Sequence, residues 1–416
     1  MKRLFVVSML MATGWQLSQQ NAPPPNEKRN DDRPRPLLTK GKVNGSHQQL
    51  ASDVLWPTKM IEASRQNETP QKAIVVAVVD TGIDLNHPAL KNKLWKNSGE
   101  SGLDKNGQDK STNGIDDDRN GFIDDVHGWN FAGLNSNLQD QHGHGTHISG
   151  IIAAEKTNRS PYFGVAANAL IMPLKYYDPK NEGQNQLKAT IDAFRYAIKM
   201  GADVINYSAG GPTPNKLERQ AIELAHRKGI VVVAAAGNEA SNADNIPYYP
   251  ASYLSPNILA VAGVDLNKRL VSTSNFGTLS VDVAAPGENI YSTLPRGQYG
   301  LMTGTSQATA FVTGLVARIL GSDPELSPYQ LKLRVENVVE SNQKLQGKIK
   351  NPGVINVDQS LHVKGLFTKR WKGKSQKYKK QWAKLIQALD EKENQDNWMQ
   401  MAGGLKGSIN RAPTSK

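Results

Sequence analysis

Residues 73–84, "AIVVAVVDTGID", combine an uninterrupted apolar run with an acidic turn. The run from Ala73 to Val79 is typical of a strand covered on both faces, as in a parallel sheet. Asp80 follows where this strand ends, and ligands of open α/β sheets bind at the carboxyl ends of strands. We therefore expect Asp80 to lie at a functional edge, although turns after strands also favour aspartate for conformational reasons.

Similar apolar runs recur along the chain and alternate with amphipathic segments. The runs are "ALIMPL" (169–174), "DVINYS" (203–208), "IVVVAAA" (230–236) and "ILAVAGV" (258–264). Apolar residues at helical spacing lie between them: Leu187, Ile191, Phe194 and Ile198 before Gly201, and Leu217, Ala221, Leu224 and Ala225 before Gly229. This alternation predicts an α/β fold with a doubly wound, mostly parallel sheet and helices on both faces.

Composition limits the chemistry that the chain can perform. Its 416 residues include no cysteine, which excludes disulfides, a thiolate nucleophile and cysteine-bound metals. The formal charge of +12 lies at the ends, because residues 1–50 carry +5 and residues 363–416 carry +9. The remaining body, at −2, is not expected to bind nucleic acid.

The two ends are predicted to lie outside the folded domain. Lys2 and Arg3 precede an apolar run from Leu4 to Ala12, which is too short to span a bilayer. We expect a signal peptide at 1–20, a Pro-rich polar linker at 21–51, and export to a secreted or periplasmic location. The alternative is a buried N-terminal strand.

A basic extension is predicted at 363–416. Residues 364–384 hold nine Lys or Arg and no acidic residue. One helical face is shared by Tyr378, Trp382, Leu385, Ile386 and Leu389. Such an extension could contact a polyanion or the cell envelope, or it could fold back on the domain or remain a solvated tail. The sequence does not choose between these interpretations.

Three histidines crowd into "DQHGHGTHISG" (140–150), at His142, His144 and His147. This density favours either a metal site or a single working base. Two further polar residues lie next to recognisable elements. Asn238 comes two residues after the end of the run 230–236, and Ser306 precedes a helical stretch of small residues, where it could also be only an N-cap.

Taken together, these stretches resemble the subtilisin-like serine proteases, or subtilases. The resemblance is carried by "VVDTGID", "HGTHISG", "AAAGNE" and "GTSQATA", with "YPASY" and "SNFGTLSVDVAAPGENIYST" also in order, from about Leu55 to Leu361. It implies a peptidase domain over 52–362 with a catalytic triad in chain order Asp, His, Ser. Asp80 would orient the base His144, Ser306 would be the nucleophile and Asn238 the oxyanion donor, with His147 a structural histidine. A zinc hydrolase would need a carboxylate where Thr146 stands.

The resemblance also implies a serine endopeptidase that acts on polypeptides as a monomer, without a redox or organic cofactor. Its substrate-binding segments would be Ser208, Ala209 and Gly210 on one side and Ala236 and Gly237 on the other. Because these residues are small, we expect broad specificity with a large apolar P1 residue. The alternative is a catalytically silent binding protein with the subtilase fold, which the presence of all four catalytic groups disfavours.

An acidic insertion at about 100–130 suggests bound calcium. Within "STNGIDDDRNGFIDDVHGWNF" (111–131), Asp116, Asp118 and Asn120 have the alternating spacing of an EF-hand-like loop, and Gly121 permits its turn. The predicted structural Ca²⁺ ligands are completed by the Phe122 carbonyl and Asp124. The full EF-hand pattern fails, since His127 stands at its last position, and a solvated acidic turn is the alternative.

Overall fold

The structure is a computed structural model that describes residues 35–36, 47–63, 72–158, 160, 162–180, 185–253 and 255–363. The strands are β1 (Arg35–Pro36), β2 (Ile74–Asp80), β3 (Trp129–Asn130), β4 (Ala169–Lys175), β5 (Val204–Tyr207), β6 (Val231–Ala235), β7 (Ile258–Val264), β8 (Val283–Pro286), β9 (Ile290–Leu294), β10 (Gln298–Met302), β11 (Val339–Ser341) and β12 (Gly353–Ile355). The α-helices are α1 (His47–Met60), α2 (His144–Ala153), α3 (Gln186–Lys199), α4 (Lys216–Arg227), α5 (Thr305–Ser322), α6 (Pro328–Asn337) and α7 (Val357–His362).

Nine of the described strands form one sheet, in the order β11-β12-β8-β7-β6-β5-β2-β4-β3. Every pairing in it is parallel except β11 with β12. All five apolar runs predicted from the sequence are strands of this sheet, and β2 lies near its middle between β4 and β5. The prediction of a mostly parallel sheet is confirmed.

Side chains of β2 alternate between two cores because successive residues of a strand point to opposite faces. Val76 and Val78 belong to one core with α2 and α5, whereas Ala77 and Val79 belong to the other with α3 and α4. Helices therefore cover both faces, as the doubly wound prediction requires. Each predicted helix is present, although the first residue of each apolar face, Leu187 or Leu217, lies exposed.

Strands β1, β10 and β9 pair in this order as a second, three-stranded antiparallel sheet.

Helix α1 begins at His47 and therefore crosses the boundary expected between a linker and the domain at residue 52. Its second half joins the main core through the buried Val54, and the carbonyl oxygen of Ile61, just beyond the helix, accepts a backbone hydrogen bond from Val357. The sequence analysis did not predict this helix, because its apolar residues are few and pack against residues far along the chain.

The predicted signal peptide and almost all of the basic extension lie outside the described residues, as does most of the predicted linker. The chain divides into units 1–361 and 362–416. No helix in the described ranges has the length and apolarity that crossing a bilayer requires.

Candidate active site

The carboxyl edge of the main sheet collects the polar residues that the sequence singled out. Asp80 is the last residue of β2, Ser208 directly follows β5, and Asn238 lies three residues beyond β6. The strands β2, β5 and β6 are adjacent and parallel, so their ends lie at one edge. Residues far apart in sequence are brought together there for this reason.

Asp80 and His144 form a close pair. Nδ1 of His144 lies 2.8 Å from Asp80 Oδ1 and 2.9 Å from Oδ2. The His144 side chain keeps 12% of its surface exposed and Asp80 only 4%, so the imidazole can meet a ligand while the carboxylate cannot. Gly145 permits this approach, because a Cβ atom there would lie 2.2 Å from the carbonyl oxygen of Gly82. The carboxylate thus selects the tautomer with the proton on Nδ1.

Ser306 is buried at the second position of helix α5. Its hydroxyl donates a 3.1 Å hydrogen bond to the carbonyl oxygen of Ser208. The N-cap of α5 is Gly304, so the interpretation of Ser306 as an N-cap is wrong. Unpaired N–H groups and the positive end of the helix dipole at this end favour negative charge close to Ser306.

Asn238 is fixed by the residue that precedes the serine. Its Oδ1 accepts hydrogen bonds from the backbone N–H of Thr305, at 2.9 Å, and from the Thr305 hydroxyl, at 3.1 Å. Gly304 lies close beside it, since a Cβ atom there would be 3.5 Å from Asn238 Nδ2. With its carbonyl end held, the side chain has its NH₂ group to offer to a ligand oxygen.

A buried carboxylate that the sequence analysis did not single out links the two loops. Asp140 accepts five hydrogen bonds: from the Thr81 hydroxyl, from the backbone N–H groups of His142, Gly143 and Thr146, and from the Thr146 hydroxyl, at 2.7–3.0 Å. Thr81 also donates its N–H to Asp80 and accepts from Gly145 N–H. Asp140 and Thr81 together therefore satisfy the first turn of α2 and tie it to the loop of Asp80.

The other two histidines have different surroundings. His147 is fully buried, its Nε2 lies 3.0 Å from the carbonyl oxygen of Ile290, and burial lowers its pKa to about 3. It is therefore neutral and structural. His142 is half-buried, with ring contacts to His144 and Tyr177.

The five predicted substrate-binding residues follow the neighbouring strands β5 and β6. Ser208, Ala209 and Gly210 continue from β5, whereas Ala236 and Gly237 continue from β6. Gly237 has φ +101°, and a Cβ atom there would lie 2.4 Å from Asn275 Nδ2, so its position requires glycine. The two segments run side by side next to Ser306.

The acidic insertion is folded by its own carboxylates. Asp116 accepts from the backbone N–H groups of Asn120 and Gly121, and Asp124 accepts from Gly114 N–H. Phe122 packs edge-on against Trp129 and Tyr196. Of the five predicted calcium ligands, only Asp118 lies in the one group of acidic side chains within the described ranges that could share an ion.

That group consists of Glu100, Asp118 and Asp125, whose nearest oxygens lie within 4.8 Å of one another. Glu100 is fully buried; its Oε1 accepts from the N–H groups of Asp117 and Asp118, whereas its Oε2 has no hydrogen-bond partner among the described residues. Burial, together with the neighbouring charges, raises the pKa values of Glu100 and Asp125. An orphaned buried carboxylate oxygen beside two further carboxylates fits a hard cation.

The sequence analysis missed Glu100 because it lies before the acidic spacing motif, and it missed Asp140 because only contacts distant in sequence reveal its role. The aspartate directly before the crowded histidines was a usable signal. Chemically, the edge combines a carboxylate-oriented imidazole, a serine at a helix N-terminus and an amide donor. This set suits nucleophilic attack on an acyl group.

Comparison with known proteins gives a consistent result. The profile of the subtilase family matches residues 71–354. Thermitase of Thermoactinomyces vulgaris is 37% identical over 265 residues, which are 64% of this chain and 80% of thermitase. The major intracellular serine protease of Bacillus subtilis (strain 168) is 35% identical over 269 residues, 64% of this chain and 74% of that protein. A cold adapted subtilisin-like serine proteinase shares the fold, with a TM-score of 0.56 and 23% identity over 74% of this chain and 99% of its own.

Proposed function

Because this chain belongs to the subtilase family, we propose that it is a serine endopeptidase that hydrolyses polypeptides through Asp80, His144 and Ser306. The observation that carries the proposal is the Asp80–His144 pair at the sheet edge where Ser306 and Asn238 also lie. The relatives named above as serine proteases support the reaction class.

The proposed nucleophile is Ser306 Oγ. Since Asp80 occupies Nδ1 of His144, Nε2 is the nitrogen that takes the serine proton as Oγ attacks the scissile carbonyl carbon. The hydroxyl must leave its hydrogen bond to Ser208 O for this transfer. The imidazolium then protonates the leaving amine, and Asp80 stabilises the positive charge in between. Water attacks the acyl-enzyme in the second half of the cycle, with His144 again as the base.

The proposed oxyanion site uses groups that are already in place. Thr305 holds the carbonyl end of Asn238, so the Nδ2 donors need no reorientation when negative charge develops. The Ser306 backbone N–H would be the second donor, aided by the positive end of the α5 dipole. Donors fixed before the reaction stabilise the transition state more than mobile ones.

A fluorophosphonate probe tests this proposal directly. We expect purified protein to be labelled at Ser306 and the Ser306→Ala variant to be unlabelled, with casein hydrolysis reduced by at least about 10⁴-fold. A thermal melt of both proteins controls for folding. A folded wild-type protein that takes up no probe would instead support the catalytically silent binding protein.

We further propose a structural Ca²⁺ ion held by Glu100, Asp118 and Asp125, which revises the ligand set suggested by sequence spacing. Support comes from the unpartnered Glu100 oxygen and from an all-oxygen donor set, which Ca²⁺ prefers. Asp116 and Asp124 then act as turn-forming residues of the same loop. The ion would neutralise charges that burial otherwise disfavours.

The remaining expectations concern the chain ends. We propose export to a secreted or periplasmic location, supported by Lys2, Arg3 and the apolar run after them, and a monomeric peptidase domain over about 52–362. For the basic extension from 363, contact with polyanions or the cell envelope stays a prediction beside its alternative, a segment that folds back on the domain or remains a solvated tail. Sequencing the N-terminus of the exported protein tests the first of these proposals.

A further inference from the structure

A tyrosine ring lies between the two proposed substrate-binding segments. A Cβ atom placed on Gly210 would lie 2.6 Å from Tyr248 Cε1, and one placed on Gly237 would lie 3.0 Å from Tyr248 Cδ2. These two carbons are at opposite corners of the phenol ring. The ring therefore spans the gap between the segment after β5 and the segment after β6.

The backbone of Tyr248 is firmly held. Its N–H donates to the Ser252 hydroxyl at 3.0 Å, and its carbonyl oxygen accepts from Ser252 N–H at 2.9 Å. The next residue, Tyr249, exchanges two backbone hydrogen bonds with Gly211, at 2.9 and 2.7 Å. Backbone movement cannot withdraw the ring from the gap unless these hydrogen bonds break.

The gap lies beside the proposed nucleophile, between the two proposed substrate-binding segments. Ser306 Oγ contacts Ser208 O after β5, and Asn238 after β6 is fixed by Thr305, so an acyl carbon on Oγ would lie at the ends of these two strands. In the proposed assignment the carbonyl oxygen points towards Asn238, and the residue on the acyl side places its side chain between the segments ending in Gly210 and Gly237. That residue is P1, on the N-terminal side of the scissile bond.

We infer that Tyr248 is a specificity-determining residue that closes the far end of the P1 pocket, so that the enzyme prefers substrates with a small P1 residue such as alanine. This inference rests on the proposed peptidase function and replaces the large apolar P1 residue expected from the sequence. Small residues at Ala209, Gly210, Ala236 and Gly237 suggested an open pocket, but a ring from a distant loop occupies the space they leave. A large P1 side chain would have to displace that ring, and packed interiors resist such insertion.

The experiment compares peptide anilides that differ only at P1, carrying alanine, leucine, phenylalanine or lysine. For the wild-type protein we expect kcat/KM to be at least about tenfold higher for alanine than for phenylalanine, the scale on which pocket volume discriminates substrates. Tyr248→Gly should reverse this order by opening the pocket. Tyr248→Phe keeps the ring without its hydroxyl and should retain the preference for alanine. Tyr329→Ala, on helix α6, is the control, with an unchanged P1 profile.

Wild-type protein that cleaves the phenylalanine or lysine substrate fastest would overturn the inference, whether or not the variants fold. A folded Tyr248→Gly variant with an unchanged P1 profile would also overturn it. Neither outcome touches the peptidase proposal, which fails only when Ser306 is not labelled by the fluorophosphonate probe. A reversal in Tyr248→Gly with no change in Tyr248→Phe would assign the selectivity to ring volume.

Discussion

Two buried carboxylates, Asp140 beside the proposed triad and Glu100 in the acidic insertion, meet opposite conditions. Asp140 retains 3% exposure and accepts five hydrogen bonds. Glu100 retains none, and one of its oxygens has no hydrogen-bond partner in the part of the chain that the structure describes. Glu100 also lies beside the carboxylates of Asp118 and Asp125, so the two residues differ both in hydrogen bonding and in neighbouring charge.

The difference shows what each region needs in order to be stable. Five donors of the protein satisfy both oxygens of Asp140, so this region requires no further partner. The region around Glu100 places three carboxylates together, and donors among the described residues reach every carboxylate oxygen except Glu100 Oε2, a situation that favours proton uptake or a cation. Hydrogen bonds organise both loops, but only the loop of Glu100 leaves a buried carboxylate oxygen over for the proposed ion.

The largest effect should come from breaking the Asp140 network. Asp140→Asn replaces one acceptor oxygen by an NH₂ group that faces N–H or O–H donors, so the first turn of α2 must shift. Since His144 begins that helix, we expect kcat to fall by about 10²-fold with little change in KM, the scale of a misplacement of ~1 Å at a catalytic group. Steady-state kinetics on one peptide substrate measures this.

Asp192→Asn, on the outer side of α3 where Asp192 pairs with Lys188, is the matched control and should leave kcat unchanged.

Substitutions at Thr81 distinguish an effect on the position of the catalytic groups from an effect on overall stability. Thr81→Val removes the hydroxyl that joins Asp140 to Gly145 and should lower kcat, whereas Thr81→Ser keeps the hydroxyl and should restore it. Equal kcat for the valine and serine variants would contradict the positioning role.

The change in melting temperature caused by Glu100→Gln should have opposite signs with and without calcium. With calcium present, Glu100→Gln removes a ligand charge and should lower the melting temperature by several degrees, equivalent to roughly 1–2 kcal/mol. In EGTA the same change removes repulsion among three carboxylates and should raise the melting temperature above that of the wild type. Thermal melts in both buffers test the reversal.

Asp109→Asn is the control for this pair of melts, because Asp109 lies exposed in the same insertion and outside the acidic group. Its response to EGTA should equal that of the wild type. Identical wild-type melts with and without calcium would identify the insertion as a solvated acidic turn instead.

The smallest net effect is expected at acid pH, where the contributions of the two regions have opposite signs and offset each other. His147 stays neutral in the folded protein down to about pH 3, whereas in the unfolded chain it takes up a proton near pH 6.5. Protons therefore favour unfolding between these values, and this contribution to stability falls by about 2 kcal/mol from pH 7 to pH 5. The raised pKa values of Glu100 and Asp125 act the other way, because the folded state binds their protons more tightly.

Urea unfolding at pH 7 and pH 5 in EGTA measures the balance of these contributions. His147→Gln should remove most of the loss at pH 5, and Glu100→Gln should enlarge it. A wild-type protein whose pH dependence is unchanged by His147→Gln would show that another group carries it.

Local patterns predicted the parts of the fold that local physics controls. Uninterrupted apolar runs identified β2, β4, β5, β6 and β7 because a strand buried on both faces has no polar positions. Helix α1 was missed because its few apolar residues, such as Val54, are buried by segments distant in sequence. The exposed Leu187 shows the same limit, because helical periodicity predicts which face of a helix is apolar but not how much of that face neighbouring elements bury.

The sequence by itself determined the class of sheet, the strand ends that carry Asp80 and Asn238, and the identities of His144 and Ser306 as candidate groups, because short motifs encode these features. Only the tertiary structure decided how they are used. It paired Asp80 with His144 across a separation of 64 residues, placed Asp140 under the first turn of α2, and brought Glu100 to Asp118. It also set the ring of Tyr248 between two glycine segments. Burial and hydrogen-bond satisfaction depend on neighbours in space, which spacing along the chain does not specify.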